Sequence, residues 1–126
     1  VDAREDRPSW TENSEGYYLV AEDMSWFVAC YFQSDIHEVN PYALPLEAKH
    51  HADLPPATIV TAGFDPLRDE GIAYAEALKA HDVSVTHHNY ADMIHGFMTM
   101  LTPQMRLTTA IEAVAQLGTD LRTAFR

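Results

Sequence analysis

Residues 57–63, ATIVTAG, form a nearly continuous apolar and β-branched run, closed by Pro55 and Pro56 on one side and Gly63 on the other. Such a run suits a strand buried on both faces, the kind found in parallel sheets. A strand of this kind cannot stand alone, because it needs strands beside it and helices on its faces. The next residues supply part of that setting. The stretch DPLRDEGIAYAEALKAH, residues 65–81, reads as a helix with Asp69 and Glu70 in its first turn, where carboxylates favour the helix dipole. DVSVTHHNY, residues 82–90, alternates Val83, Val85 and His87 against Ser84, Thr86 and His88 and reads as a second strand. A strand–helix–strand unit implies parallel pairing through a right-handed crossover.

The flanking segments extend the pattern. Residues 1–16 are charged, contain Pro8, Asn13 and Gly16, and read as an irregular lead-in. LVAEDMSWFVACYF, residues 19–32, places Met24, Phe27, Val28 and Tyr31 at helical spacings. Residues 33–56 hold four prolines and read as a long connection with a short helical turn at 46–50. The C-terminal stretch predicts a helix with Thr102 as N-cap and Pro103 at the first helical position. Leu107, Ile111, Val114, Leu117, Leu121 and Phe125 would form its apolar stripe, as core or as the subunit interface of a homo-oligomer. Helix, loop, strand, helix, strand, helix is the end of an α/β sheet. The chain, which opens on Val, is therefore expected to be, over 1–126, the C-terminal segment of one larger α/β domain, with its N-terminal part as the missing partner.

Composition narrows the classes of partner. Nineteen acidic residues against eight basic ones give a formal charge of −11, which argues against nucleic acid. The excess fits an ordinary acidic surface or one adapted to high salt. No stretch approaches the roughly 18 apolar residues of a membrane span, and the first residues lack a signal-peptide layout, which says little about the parent protein because the chain opens on Val. A cytoplasmic location is the expectation. The single cysteine, Cys30, has no partner for an internal disulfide and is expected as a small buried apolar residue. The pairs His50–His51 and His87–His88 suggest a metal only superficially. Neighbouring strand residues point to opposite faces and no metal-binding spacing accompanies them, so solvent-facing or loop histidines are expected.

In open α/β sheets, functional side chains sit just beyond the carboxyl ends of the strands. Asp65 follows the first predicted strand and His95 the second. An aspartate that orients an imidazole beside a histidine that passes a proton is two thirds of a hydrolase triad, here in the order acid then histidine. The stretch from LPPATIVTAGFDPLRDEG to NYADMIHGFMTM, with EGYYLVAEDMSWFVACYF and NPYALPL upstream, resembles the C-terminal part of the hormone-sensitive-lipase-like carboxylesterases of the α/β-hydrolase superfamily. The resemblance runs from about Glu15 to Met100 and rests on DPLRDEG followed thirty residues later by HGF. It implies that Asp65 is the triad acid and His95 the general base, with Asp69 and Glu70 bracing the loop. It also implies hydrolysis of small-molecule esters without metal or organic cofactor.

The sequence departs from that family in two large respects. The GxSxG nucleophile elbow and the HGGG oxyanion loop are both absent; Ser14 comes nearest, but Glu12 stands where the first glycine is required. Without oxyanion donors the tetrahedral intermediate loses about 3 kcal/mol per donor, so the chain alone is expected to be inactive. A non-catalytic binding protein on the same fold and an interaction fragment of a split domain are the other readings. A retained His95 argues against the first.

Overall fold

A computed structural model of the chain describes residues 1–2, 4–32, 34 and 40–125. They form two compact units, Val1–His95 and Gly96–Arg126.

In the first unit, β1 (Ala57–Phe64) and β2 (Val85–Ile94) pair in parallel, joined by the helix α3 (Arg68–Lys79). This is the predicted strand–helix–strand unit. Pro66 ends β1, since it cannot donate to a ladder, and α3 starts two residues later. Ala75 and Leu78 are the buried residues of α3, and Val83 is buried at the entry to β2. Asp82, with φ 61°, makes the tight turn out of the helix, and the Val83 amide donates to the Leu78 carbonyl. Of β1, Thr61 and Ala62 are buried, while 57–60 are half-buried. Among the described residues β1 has one strand neighbour, and the burial expected on both of its faces, which helices must cover, is incomplete.

β2 runs four residues beyond the predicted end at Tyr90. Its register with β1 is even from Ala57↔Val85 to Ala62↔Tyr90, then shifts, so that Phe64 lies opposite Ile94. Two extra residues of β2 are accommodated opposite Gly63. A side chain at Gly63 would drive its Cβ into the Ala91 main chain, so only glycine admits this approach.

Ahead of the sheet lie α1 (Pro8–Glu12) and α2 (Ala21–Tyr31). The lead-in read as irregular thus contains one short helix. Pro8 at its first turn is the signal for it, but five residues are too few to show periodicity. In α2, Glu22 and Asp23 fall in the first turn, as the helix dipole favours, yet no residue of the helix is buried. Cys30, expected inside, is exposed, because no described element covers that side of α2. The start of the long connection, at residues 33 and 35–39, lies outside the described residues. Its remainder makes a 3₁₀ turn at Pro45–Glu47, close to the short turn expected.

Of the histidine pairs, His50 and His51 lie in a loop as expected, whereas His87 and His88 are half-buried in β2. His51 is nonetheless enclosed. It is 4% exposed, its Nε2 donates to the Pro45 carbonyl, and its ring packs against Tyr74 and His81. His87 is half-buried and meets the Thr61 hydroxyl at 2.9 Å, while that hydroxyl donates to Asn89 Oδ1 at 3.0 Å. The hydroxyl's one proton is thereby used, so His87 Nε2 is the donor of its own bond. Burial lowers the His87 imidazole below its ordinary value, with Lys79 and His88 adding to the effect.

The second unit holds a 3₁₀ turn at Phe97–Thr99 and α4 (Thr108–Ala124). The helix starts later than predicted. Thr102 and Pro103 lie in a turn, and Arg106, with φ 29°, takes a backbone conformation incompatible with helix, so propagation begins only after it. The buried residues of α4 are Ala110 and Ala113, whereas Ile111, Val114, Leu121 and Phe125 of the predicted stripe are exposed.

Candidate active site

Because Phe64 lies opposite Ile94, the residues that follow, Asp65 and His95, leave the two strands side by side. Asp65 Oδ2 is 2.8 Å from His95 Nδ1. A carboxylate only accepts, so the imidazole carries its proton on Nδ1, and Nε2 is left with a lone pair. The hydrogen bond to Asp65 raises the His95 imidazole above its ordinary value, against a burial that lowers it. The side chain of His95 is 39% exposed and that of Asp65 11%, so the acid is enclosed while the base is open to approach. Gly96 follows with φ 73°, a left-handed turn that glycine adopts without strain.

The second oxygen of Asp65 is also used: Oδ1 accepts the Leu67 amide at 2.8 Å. The main chain around it is held by side chains from elsewhere. Asn13 Nδ2 lies 3.3 Å from both the Gly63 and the Asp65 carbonyls, Ser9 Oγ donates to the Pro66 carbonyl at 2.8 Å, and Arg68 Nη1 donates to the Gly63 carbonyl at 3.0 Å. Asp69 turns away from the histidine. Its Oδ2 accepts the Ser9 amide at 2.8 Å and its Oδ1 accepts Arg68 Nε at 2.8 Å, while its own amide donates to Ser9 Oγ at 3.1 Å. Neither helix has a side-chain cap from its own N-cap residue, so α1 and α3 cap each other across 60 residues of sequence. Arg68 also reaches Glu12 at 2.8 Å.

Sequence reasoning placed Asp65 and His95 on neighbouring strand ends, and the structure brings them into contact. It read Asp69 as a bracing residue, which matches its bonds to α1. It missed Ser9, Asn13 and Arg68.

Burial pushes the Asp69 carboxyl up, but Arg68 and the Ser9 amide together hold it below the ordinary carboxylate value. A carboxyl depressed in the folded state contributes stability above its unfolded value of about 3.9, and that contribution disappears as pH falls through the folded value. Asp69→Asn is therefore expected to lower the urea midpoint at pH 7 and to leave it nearly unchanged at pH 2. Equal losses at both pH values would show that the charge of Asp69 is not what stabilises the loop.

Among the described residues no group of three or more His, Cys, Asp or Glu side chains is placed to hold a metal ion. No described helix is long and apolar enough to cross a membrane.

Parallel strands, a crossover helix and an acid–imidazole pair at the strand ends define the class: the model for the alpha/beta hydrolase fold matches residues 1–99, and the chain belongs to that family. Among particular proteins, it is 41% identical over 86 residues to the carboxylic ester hydrolase LipN of Mycobacterium tuberculosis, covering 68% of this chain and 23% of that protein. It is 40% identical over 92 residues to esterase LipI of the same organism, covering 72% and 29%. The crystal structure of a thermostable esterase from Pseudomonas putida superposes with a TM-score of 0.91 at 36% identity, covering 99% of this chain and 40% of that one. The chain thus spans less than half the length of each of these relatives.

Proposed function

We propose that residues 1–126 are the C-terminal segment of a single α/β-hydrolase domain with serine carboxylesterase activity on small-molecule esters, supplying the acid and base of its triad. The observation that carries this reading is the 2.8 Å bond between Asp65 and His95 at the ends of adjacent parallel strands. The nucleophilic serine and the oxyanion donors belong to the N-terminal part of the domain, since GxSxG and HGGG are absent here. The serine attacks the ester carbonyl as His95 Nε2 takes its proton. His95 then returns the proton to the leaving alcohol, and in deacylation it takes one from water. Asp65 keeps Nδ1 protonated and stabilises the imidazolium. No step needs a metal or organic cofactor. A cytoplasmic setting belongs to the same reading.

The test is hydrolysis of p-nitrophenyl butyrate by the full-length protein, with and without a serine-directed phosphonate, beside the 126-residue chain alone. Phosphonate-sensitive hydrolysis by the full-length protein and none by the chain alone is expected. A full-length protein that neither hydrolyses the ester nor takes up phosphonate would instead be a binding protein on this fold. Hydrolysis by the 126-residue chain would place the nucleophile within it.

The pH profile tests the role of His95 separately. A base must be neutral to accept a proton, and the raised imidazole value moves the acid limb of kcat/KM upward. That limb is expected above about pH 6.5, the value of an unperturbed histidine. A limb below it would show that the Asp65 bond does not govern the catalytic base.

A further inference from the structure

We propose that Ser9 and Asn13, at the start and end of α1, are positioning residues for Asp65, so that the lead-in segment is a working part of the site; this rests on the triad reading above. Ser9 is 0% and Asn13 3% exposed, so their polar groups must be satisfied inside the protein. Both side chains donate to the main chain from Gly63 to Pro66, the four residues that contain the end of β1 and the acid. Asp65 itself is 8% exposed, and its two carboxylate oxygens are committed to Leu67 and His95, so its side chain can follow only where its backbone goes.

The division of labour is visible in the donors. The Asp65 carbonyl accepts the Arg68 amide at 3.1 Å, a bond local to the turn into α3. That turn fixes the loop relative to its own helix. Asn13 and Ser9 fix it relative to a second element, through an amide that spans two carbonyls and a hydroxyl that accepts from the Asp69 amide while donating to Pro66. With α1 engaged, the loop is held from both sides. With Asn13 truncated, two carbonyls lose a donor and the loop is free to shift relative to β2, on whose end His95 sits.

The test is made in the full-length protein with Asn13→Ala, Ser9→Ala, Asp65→Asn and the Asn13→Ala/Asp65→Asn pair. Misplacement of about 1 Å at a catalytic group costs on the order of 10²-fold in rate. Asn13→Ala is accordingly expected to lower kcat by up to that factor with KM little changed. The acid limb of kcat/KM should move to lower pH, because a weakened bond from Asp65 lets the imidazole fall back toward its ordinary value. Ser9→Ala, which removes a single oxygen, should act in the same direction and carries the test if Asn13→Ala does not fold. In the Asp65→Asn background, Asn13→Ala should cost less than about twofold, since residues acting through one another are not additive.

A fall in melting temperature with kcat and the acid limb unchanged would overturn the proposal and leave α1 a purely stabilising element. So would losses that multiply in the double variant. If Asp65→Asn alone left kcat and the limb unchanged, the triad reading would fail and this inference with it. Losing only the Asn13 and Ser9 effects would leave the triad reading standing.

Discussion

Asp65→Asn in the full-length protein is expected to lower kcat by about 10⁴, the loss seen when the triad aspartate of a serine protease is changed in this way. The cause lies in the tautomer. A carboxylate can only accept, so it holds the proton of His95 on Nδ1 and keeps the Nε2 lone pair for the nucleophile. An asparagine amide can present its NH₂ group instead, which favours the tautomer with Nδ1 bare and the proton on Nε2, where it blocks the base. The same substitution removes the carboxylate hydrogen bond, and with it the charge, that raises the imidazole. The residual activity should therefore show an acid limb at lower pH than the parent. Asp69→Asn supplies the contrast. Its carboxylate bonds to Ser9 and Arg68, not to the histidine, so it should affect rate far less than Asp65→Asn. Near-normal rates for Asp65→Asn together with a dead Asp69→Asn would transfer the acid to residue 69.

Gly63→Ala is the second large effect, and it is one of structure. Most strand positions tolerate alanine, but here the added Cβ meets the Ala91 main chain where β2 carries two residues more than β1. Neither backbone can yield without breaking ladder bonds on one side of the shift. Overpacked sites commonly cost about 1–3 kcal/mol when flexible side chains can adjust, and a clash with main chain sits at or above the top of that range. The expectation is a melting temperature of the full-length protein lower by about 6–12 °C, since about 3 kcal/mol moves a domain of 150–250 residues by about 2–4 °C per kcal/mol. Activity should be lost even below that temperature, since the register after Gly63 sets Asp65 beside His95. A variant that melts with the parent would mean that the shift between the strands is not fixed.

Much of this was legible in the sequence because it depends on local patterns. ATIVTAG announces a buried strand through its β-branched run, and 65–81 announces a helix through its spacing and its acidic first turn. The crossover rule then puts Asp65 and His95 at one edge of a sheet. The parts that were not legible depend on contacts between distant residues. The last four residues of β2 break the alternation, since Ala91 and Asp92 follow Tyr90, and they count as strand only because Gly63 lets them approach. In α1 the signals are a proline and a serine whose cap comes from Asp69. Likewise, Leu107 to Phe125 marks a helical stripe correctly spaced, but spacing does not say which face is covered, and the alanines at 110 and 113 are the buried ones.

The reciprocal caps between α1 and α3 also set where this protein can be cut. Neither helix has a side-chain cap from its own N-cap residue, so the start of each is completed by the other. A piece trimmed to begin after Asn13 would keep both strands, the crossover and the Asp65–His95 pair in name. It would return the Asp69 amide and the Pro66 carbonyl to solvent and leave the Gly63 and Asp65 carbonyls one donor short. The natural boundary of the β1–α3–β2 unit therefore lies before Ser9, some fifty residues upstream of the first strand that any reading by secondary structure alone would assign to it.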